Sequence, residues 1–201
     1  TEAELAALSA KIENIPSGSI LVISGSLPPG TRITALTALI EKAQKAGLRC
    51  ILDSSGEALA AGLKLGGLAL VKPNQNELAA LVGHPLENPG DVLAAAQQII
   101  RDGGAERVVV SLGPQGALAV DVQGAFQVVP PPVKKMSTVG AGDSMVGAMT
   151  LKLAEGADLL DIVRFGVAAG SAATLNIGTR LCSEKDTREI YQYLCQQTPA
   201  R

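Results

Sequence analysis

Short runs of Ile, Leu and Val alternate along this chain with longer segments whose apolar residues return every third or fourth position. The runs Ser19–Ser24, Arg49–Asp53, Leu68–Lys72 and Arg107–Leu112 read as strands, the last of them fully buried, and the longer segments as amphipathic helices. The first helix opens on a capping box, Thr1-Glu2-Ala3-Glu4, and extends to about Ile15. A second spans Thr31–Ala46, with Leu36, Leu39, Ile40 and Ala43 on one face and Gly47 as its stop. The same spacing predicts helices over Gly56–Leu65, Gln75–Val82, Pro89–Asp102, Ala141–Glu155, Leu159–Leu175 and Asp186–Gln196. Leu118–Val122 and Ala125–Val129 pair as a hairpin around Gln123-Gly124. Strands alternating with helices imply parallel βαβ units and right-handed crossovers. The expected fold is therefore α/β, a layered sandwich around a mainly parallel sheet. No internal repeat or interdomain linker interrupts the pattern, so residues 1–201 read as one domain.

Open parallel sheets bind ligands beyond the carboxyl ends of their strands. Three distinctive loops begin where predicted strands end: Ser24-Gly25-Ser26-Leu27-Pro28-Pro29-Gly30, Lys72-Pro73-Asn74-Gln75-Asn76-Glu77 and Ser111-Leu112-Gly113-Pro114-Gln115-Gly116. A fourth segment, Ser137-Thr138-Val139-Gly140-Ala141-Gly142-Asp143-Ser144, opens a helix with three small residues and one acid. A helix start leaves N–H groups unpaired at the positive end of its dipole. Gly140, Ala141 and Gly142 carry no bulk to keep an anion away from those groups. Asp143 would stand beside the captured anion, where a carboxylate accepts a proton from an attacking hydroxyl. Anion cradle plus adjacent base suits phosphoryl transfer to an alcohol.

Other phosphate signatures fail here. The chain has no Gly-Lys pair for a Walker A loop, and a dinucleotide fingerprint would need glycine where Met145 stands. Asn74 and Glu77, three residues apart, share one face of a helix start. They suit either a cap or the holding of magnesium's water shell. Read alone, the Ser111–Gly116 loop favours a tight turn over a place where a ligand approaches backbone. Ser26 lies in a rigid Pro-Pro turn that either contacts a ligand or does not.

Composition narrows the partners. Hydrophobic residues make up 47% and disorder is excluded; aromatics are only 2% with no Trp, which argues against base-stacking platforms for nucleic acid. A net charge of −2 gives no basic field for DNA or an anionic membrane. No apolar run reaches membrane-spanning length. Cys50, Cys182 and Cys195 are odd in number and lack metal-ligand spacing, and the single histidine, His84, sits in a Gly-His-Pro turn. Free thiols fit a reducing cytoplasm.

The four motifs, in this order and at these separations, resemble the ribokinase-like carbohydrate kinases over essentially all 201 residues. The resemblance is greatest to members that phosphorylate fructose 6-phosphate to fructose 1,6-bisphosphate, ahead of 1-phosphofructokinases and tagatose-6-phosphate kinases. It implies a three-layer sandwich whose N-terminal third, holding sugar-binding strands and a β-sheet lid, lies upstream of this chain. It implies ATP and Mg²⁺, a sugar-phosphate substrate, and a homodimer in the complete protein. Carried over by position, Asp143 is the base and Gly140, Ala141 and Gly142 the phosphoryl cradle. Lys72, Asn74, Ser111, Leu112, Gly113, Pro114, Gln115, Gly116, Lys135, Val167 and Ser171 would line the nucleotide site. Asn74 and Glu77 would hold magnesium through water, and Ser26 would contact the sugar phosphate. Ser137, Val139, Ala173, Asn176, Gly178 and Arg180 match a potassium site between two loops. Ser137 stands where many members carry Asp, leaving that site to carbonyl ligands. A non-catalytic nucleotide- or sugar-phosphate-sensing module is the alternative from another class, and the intact Asp143 argues against it.

Overall fold

In a computed structural model, residues 1–197 are described, and the chain divides into two compact units, Thr1–Val108 and a second beginning at Val109. In the first unit, β1 (Ile20–Ser24), β2 (Arg49–Asp53) and β3 (Leu70–Val71) are parallel neighbours, with Ile20 opposite Arg49 and Ile51 opposite Leu70. Val71 in turn pairs in parallel with Val108. These strands alternate with α1 (Glu2–Ile12), α2 (Ile33–Lys45), α3 (Gly56–Leu65), α4 (Gln75–Val82) and α5 (Pro89–Arg101). The core is aliphatic: Ile40, Cys50, Ile51, Leu52, Leu68, Leu70, Val71 and Leu78 have no exposed surface. Gly62 lets α3 lie close on β2, since a Cβ there would meet Leu52 Cδ2 at 2.4 Å.

The second unit carries the rest of β4 (Val108–Ser111), a 3₁₀ turn at Gly113–Gln115, and the antiparallel pair β5 (Ala117–Asp121) and β6 (Gly124–Val128). Three helices follow, α6 (Ala141–Ala154), α7 (Leu159–Thr174) and α8 (Glu184–Gln196). Met149, Ile162, Val163, Ala168 and Ala172 are fully buried in this unit. Gly166 lets α6 and α7 approach, because a Cβ there would stand 2.5 Å from Met149 Cγ. The expected α/β architecture, mostly parallel, is what these elements form.

Most predicted elements sit within one or two residues of their expected ends, and three departures stand out. α1 stops at Ile12 instead of Ile15: Asn14 and Ile15 turn back onto Lys11 and Ile12 carbonyls (3.2 and 3.1 Å), and Pro16 disfavours helix at the residue before it. The strand expected over Leu68–Lys72 shrinks to Leu70–Val71, with Leu68 making an isolated bridge to Ala105. The hairpin shifts by one residue, since the Asp121 carboxylate accepts the N–H groups of Gln123 (2.8 Å) and Gly124 (3.1 Å) and fixes the turn at Val122-Gln123.

Candidate active site

The second unit holds a cavity of about 520 Å³. One wall is a stripe of α7, where Val167, Gly170, Ser171 and Thr174 fall at spacings of three and four. Met145 of α6 and the helix start at Ala141 and Gly142 close another side. The turn after β4 contributes Ser111, Gly113, Pro114 and Gly116, and the segment Pro130-Pro131-Pro132-Val133, with Lys135 and Thr138, completes the lining.

The turn is held by its own backbone. Leu112 N–H donates to Gly116 carbonyl (2.8 Å), and the Gln115 carbonyl accepts Gln127 Nε2 (2.9 Å). Leu112 and Gln115 thus support the loop while their neighbours face the cavity. Gly116, at φ +79°, passes so close to Val128 that a Cβ would lie 1.9 Å from its carbonyl oxygen. No larger residue fits there.

The helix start has the predicted form. Gly140 is the N-cap in the left-handed region, φ 78°, and a Cβ on it would sit 2.7 Å from Leu181 Cδ2. Ser144 N–H reaches back to the Gly140 carbonyl at 2.9 Å. Among the described residues, the N–H groups of Gly142 and Asp143 find no acceptor. Asp143 lies in the first turn of α6 and is exposed; it does not line the cavity.

The loops assigned to a cation come together. Ser137 Oγ donates to the Gly178 carbonyl (2.7 Å) and accepts Val139 N–H (3.2 Å), while Met136 N–H donates to the Thr174 carbonyl (2.8 Å). Asn176 Nδ2 donates to the Leu181 carbonyl at 2.9 Å, and the Ala173 carbonyl accepts Asn176 N–H at 3.2 Å. Arg180 is exposed. Carbonyls with a spare lone pair are the right donors for a monovalent cation.

In the first unit, the loop after β1 borders a hollow of about 250 Å³ shared by Ser26, Thr31, Ser54, Ser55 and Glu57. Ser54 Oγ donates to the Gly25 carbonyl at 2.8 Å and secures that loop. Lys72, at the end of β3, is buried and pairs with Asp53 at 3.0 Å; Asp53 also accepts Ser24 Oγ at 3.2 Å. A lysine at a strand end is usually solvated, and burial with a carboxylate partner is the departure here. Asn74 and Glu77 form a complete capping box on α4: Asn74 Oδ1 accepts Glu77 N–H (2.9 Å) and Glu77 Oε2 accepts Asn74 N–H (2.8 Å). Glu77 Oε1 stays without a partner among the described residues, so the cap leaves one carboxylate oxygen available.

A profile of the pfkB family carbohydrate kinases matches residues 1–186. The chain belongs to that family. It is 66% identical over 193 residues to the ATP-dependent 6-phosphofructokinase isozyme 2 of Escherichia coli, a match that covers 96% of this chain and 62% of that protein. The crystal structure of Escherichia coli phosphofructokinase-2 with fructose-6-phosphate superposes with a TM-score of 0.92 at 63% identity, covering 98% of this chain and 63% of that one. Its complex with potassium gives 0.95 at 65% identity, with the same coverage. The pfkB-family chain therefore spans under two thirds of the length of these relatives.

Of the residues predicted for the nucleotide, Ser111, Gly113, Pro114, Gly116, Lys135, Val167 and Ser171 line the cavity, together with Ala141 and Gly142 of the cradle. Sequence reasoning missed the Pro130–Val133 wall, Thr138, Met145, Gly170 and Thr174, and in the first unit Asp53. The proline run was legible as a stiff extended segment, and a rigid segment beside a glycine turn was the signal for a wall. Met145 and Gly170 lie on predicted helices and gave none.

Proposed function

We propose that the chain supplies the nucleotide-binding part of an ATP-dependent kinase that converts fructose 6-phosphate to fructose 1,6-bisphosphate. The observation that carries this reading is the cavity of the second unit, which meets a helix start with unpaired N–H groups and has an acid in the same first turn. The fructose-6-phosphate complex of the Escherichia coli relative supports the choice of substrate.

In this reading the base and ribose lie between the α7 stripe and the proline wall. Gly140, Ala141 and Gly142 form the cradle for the transferring phosphoryl group, and the unpaired N–H groups of Gly142 and Asp143 meet the charge that develops as the bond breaks. Asp143 takes the proton of the sugar hydroxyl as transfer proceeds. Lys72 offers a positive charge to the phosphates, with Asp53 holding its ammonium, and Ser26 receives the sugar phosphate. Magnesium, when bound, would neutralise phosphate charge; the free oxygen of Glu77 and the second lone pair of Asn74 Oδ1 would accept hydrogen bonds from its water shell. The carbonyls around Ser137, Val139, Ala173, Asn176, Gly178 and Arg180 hold potassium, which fixes the loop leading into the cradle. The potassium complex of the relative supports that assignment. The complete protein works as a homodimer in the cytoplasm, in keeping with free thiols.

The test uses a polypeptide of the relative's length in which this chain replaces the matching part, assayed by coupled ADP release with fructose 6-phosphate and with fructose 1-phosphate as the competing acceptor. Faster turnover of fructose 6-phosphate is expected, and Asp143→Asn should lower kcat by about 10²–10⁴ while ATP affinity holds. Equal turnover of variant and parent would remove Asp143 from the chemistry. Preference for fructose 1-phosphate would reassign the substrate.

A further inference from the structure

Ser26 lies on an exposed loop, and the group that fixes its place belongs to the neighbouring strand. We propose that Ser54 is a positioning residue for the sugar-phosphate substrate, holding the Gly25–Ser26 peptide at the angle from which Ser26 meets the phosphate. This rests on the reading of Ser26 as the sugar-phosphate contact. β1 and β2 leave the sheet side by side, Ser24 opposite Asp53, so that Gly25 and Ser54 are the next residues out. Gly25 N–H donates to the Asp53 carbonyl at 2.9 Å, and the chain then turns at Gly25 with φ +90°. A glycine has no side chain to restrict it, so the direction of its carbonyl is set by what that carbonyl bonds to. Ser54 Oγ supplies the bond at 2.8 Å. In a trans peptide the next N–H lies in the same rigid plane and points the opposite way. Holding the Gly25 carbonyl therefore also sets the Ser26 N–H and the Cα from which its hydroxyl extends.

The burial pattern assigns the support to Ser54. It is only 8% exposed, whereas Gly25, Ser26 and its own neighbour Ser55 are open to solvent. A buried hydroxyl is costly unless it is hydrogen-bonded, and this one donates to the loop. The far arm of the loop has its own hold: Pro28 and Pro29 fix their backbone angles, and Thr31 N–H closes a turn on the Pro28 carbonyl at 3.0 Å. Ser26 and Leu27 are what lies between the two anchors, with Ser26 one peptide from Ser54's bond. Among the described residues, neither the N–H nor the hydroxyl of Ser26 has a partner. Both are available to donate to phosphate oxygens, and donation to a charged acceptor is the stronger kind of hydrogen bond. Ser54 has spent its own proton on Gly25, so it acts on the substrate through Ser26 and not by contact.

The experiment is steady-state kinetics on the polypeptide of the relative's length that carries this chain, as Ser54→Ala, Ser26→Ala and the double variant. Fructose 6-phosphate and ATP are varied in turn. Ser54→Ala should raise the KM for fructose 6-phosphate about three- to tenfold, the worth of one hydrogen bond. Its kcat and its KM for ATP should stay within about twofold of the parent, because only binding of the sugar phosphate is lost. Ser54→Cys, near in size but a weak donor, should behave in the same way. In the Ser26→Ala background the loss of the Ser54 hydroxyl should raise KM no further. A parental KM in Ser54→Ala or Ser54→Cys, where Ser26→Ala raises it, would overturn the proposal and leave Ser26 as the contact. Additive effects of the two changes, or an equal rise in the KM for ATP, would overturn it as well, since either marks a general loosening of the unit. A parental KM in Ser26→Ala would instead sink the reading of Ser26, and the proposal with it.

Discussion

Gly116 is the position at which a single methyl group would do most damage. Its φ of +79° is one that L residues rarely adopt, and a Cβ would collide with the Val128 carbonyl oxygen and the Pro130 ring. Gly116→Ala should cost about 3 kcal/mol or more, read as a shift in urea midpoint at unchanged slope. A loss below about 1 kcal/mol would mean that the turn relaxes freely. Ser171 tests the cavity from the opposite wall. It is half-buried and faces the open space, so Ser171→Phe should fill the pocket and weaken MgATP binding by at least about tenfold with little change in Tm. Unaltered affinity would put the nucleotide elsewhere. At this scale the sequence was informative where backbone geometry demands a residue type, as at Gly140, the left-handed N-cap of α6. It was silent about Asp53, because an acid at a strand end looks the same whether it faces water or a buried lysine.

Helices and strands were legible wherever local signals agreed. α4 matches its expected limits because Asn74 caps it, Glu77 completes the box and Gly83 ends it in the left-handed region. β2 and α3 also match, the strand as a compact apolar run and the helix stopped by Gly66. The hairpin turn was misplaced by one residue because a carboxylate, Asp121, chose it over the Gly pair rule. Side-chain partners between helices were invisible for the same reason: they depend on packing. Tyr191 of α8 hydrogen-bonds Asp161 of α7 and meets Phe165 edge-on, with ring centroids 5.2 Å apart. Burial first, and then the Asp161 carboxylate, push the Tyr191 phenol well above its ordinary value. A raised phenol means that the folded state holds its proton where the unfolded chain has released it. The resulting stability is complete below pH about 10 and drains away as pH rises further. Tyr191→Phe should lose about 1 kcal/mol at neutral pH and show a shallower decline above pH about 10, followed by denaturation at stepped pH. Parallel declines in the two proteins would assign the alkaline loss to other groups.

For the whole chain, the alternation of strands and helices was enough to give the α/β class, and the four motifs gave the family. The division into two compact units was not legible. It follows from which residues pack together, and no linker composition marks Val108. Each unit has its own aliphatic core, and among the described residues no helix is long and apolar enough to cross a membrane. The three cysteines are free and differ in access: Cys195 is exposed, Cys182 intermediate and Cys50 wholly buried, its thiol pushed up by burial. A maleimide should therefore label Cys195 first and leave Cys50 untouched until the protein opens, as mass spectrometry of timed samples would show. Early labelling of Cys50 would mean that the first unit breathes under native conditions.

The placement of the aromatic residues gives that last measurement a counterpart. The chain has two tyrosines and no tryptophan, and Tyr191 and Tyr193 both lie on α8 of the second unit. All of its tyrosine emission thus originates from one helix and is blind to residues before Val109. Alkylation of Cys50 sees only the other half. A single thermal ramp, with parallel aliquots read in the two ways, reports one optical and one chemical melting curve for the same unmutated protein. Coincident midpoints would mark the chain as one cooperative folding unit, and separated midpoints would give the order in which its halves come apart.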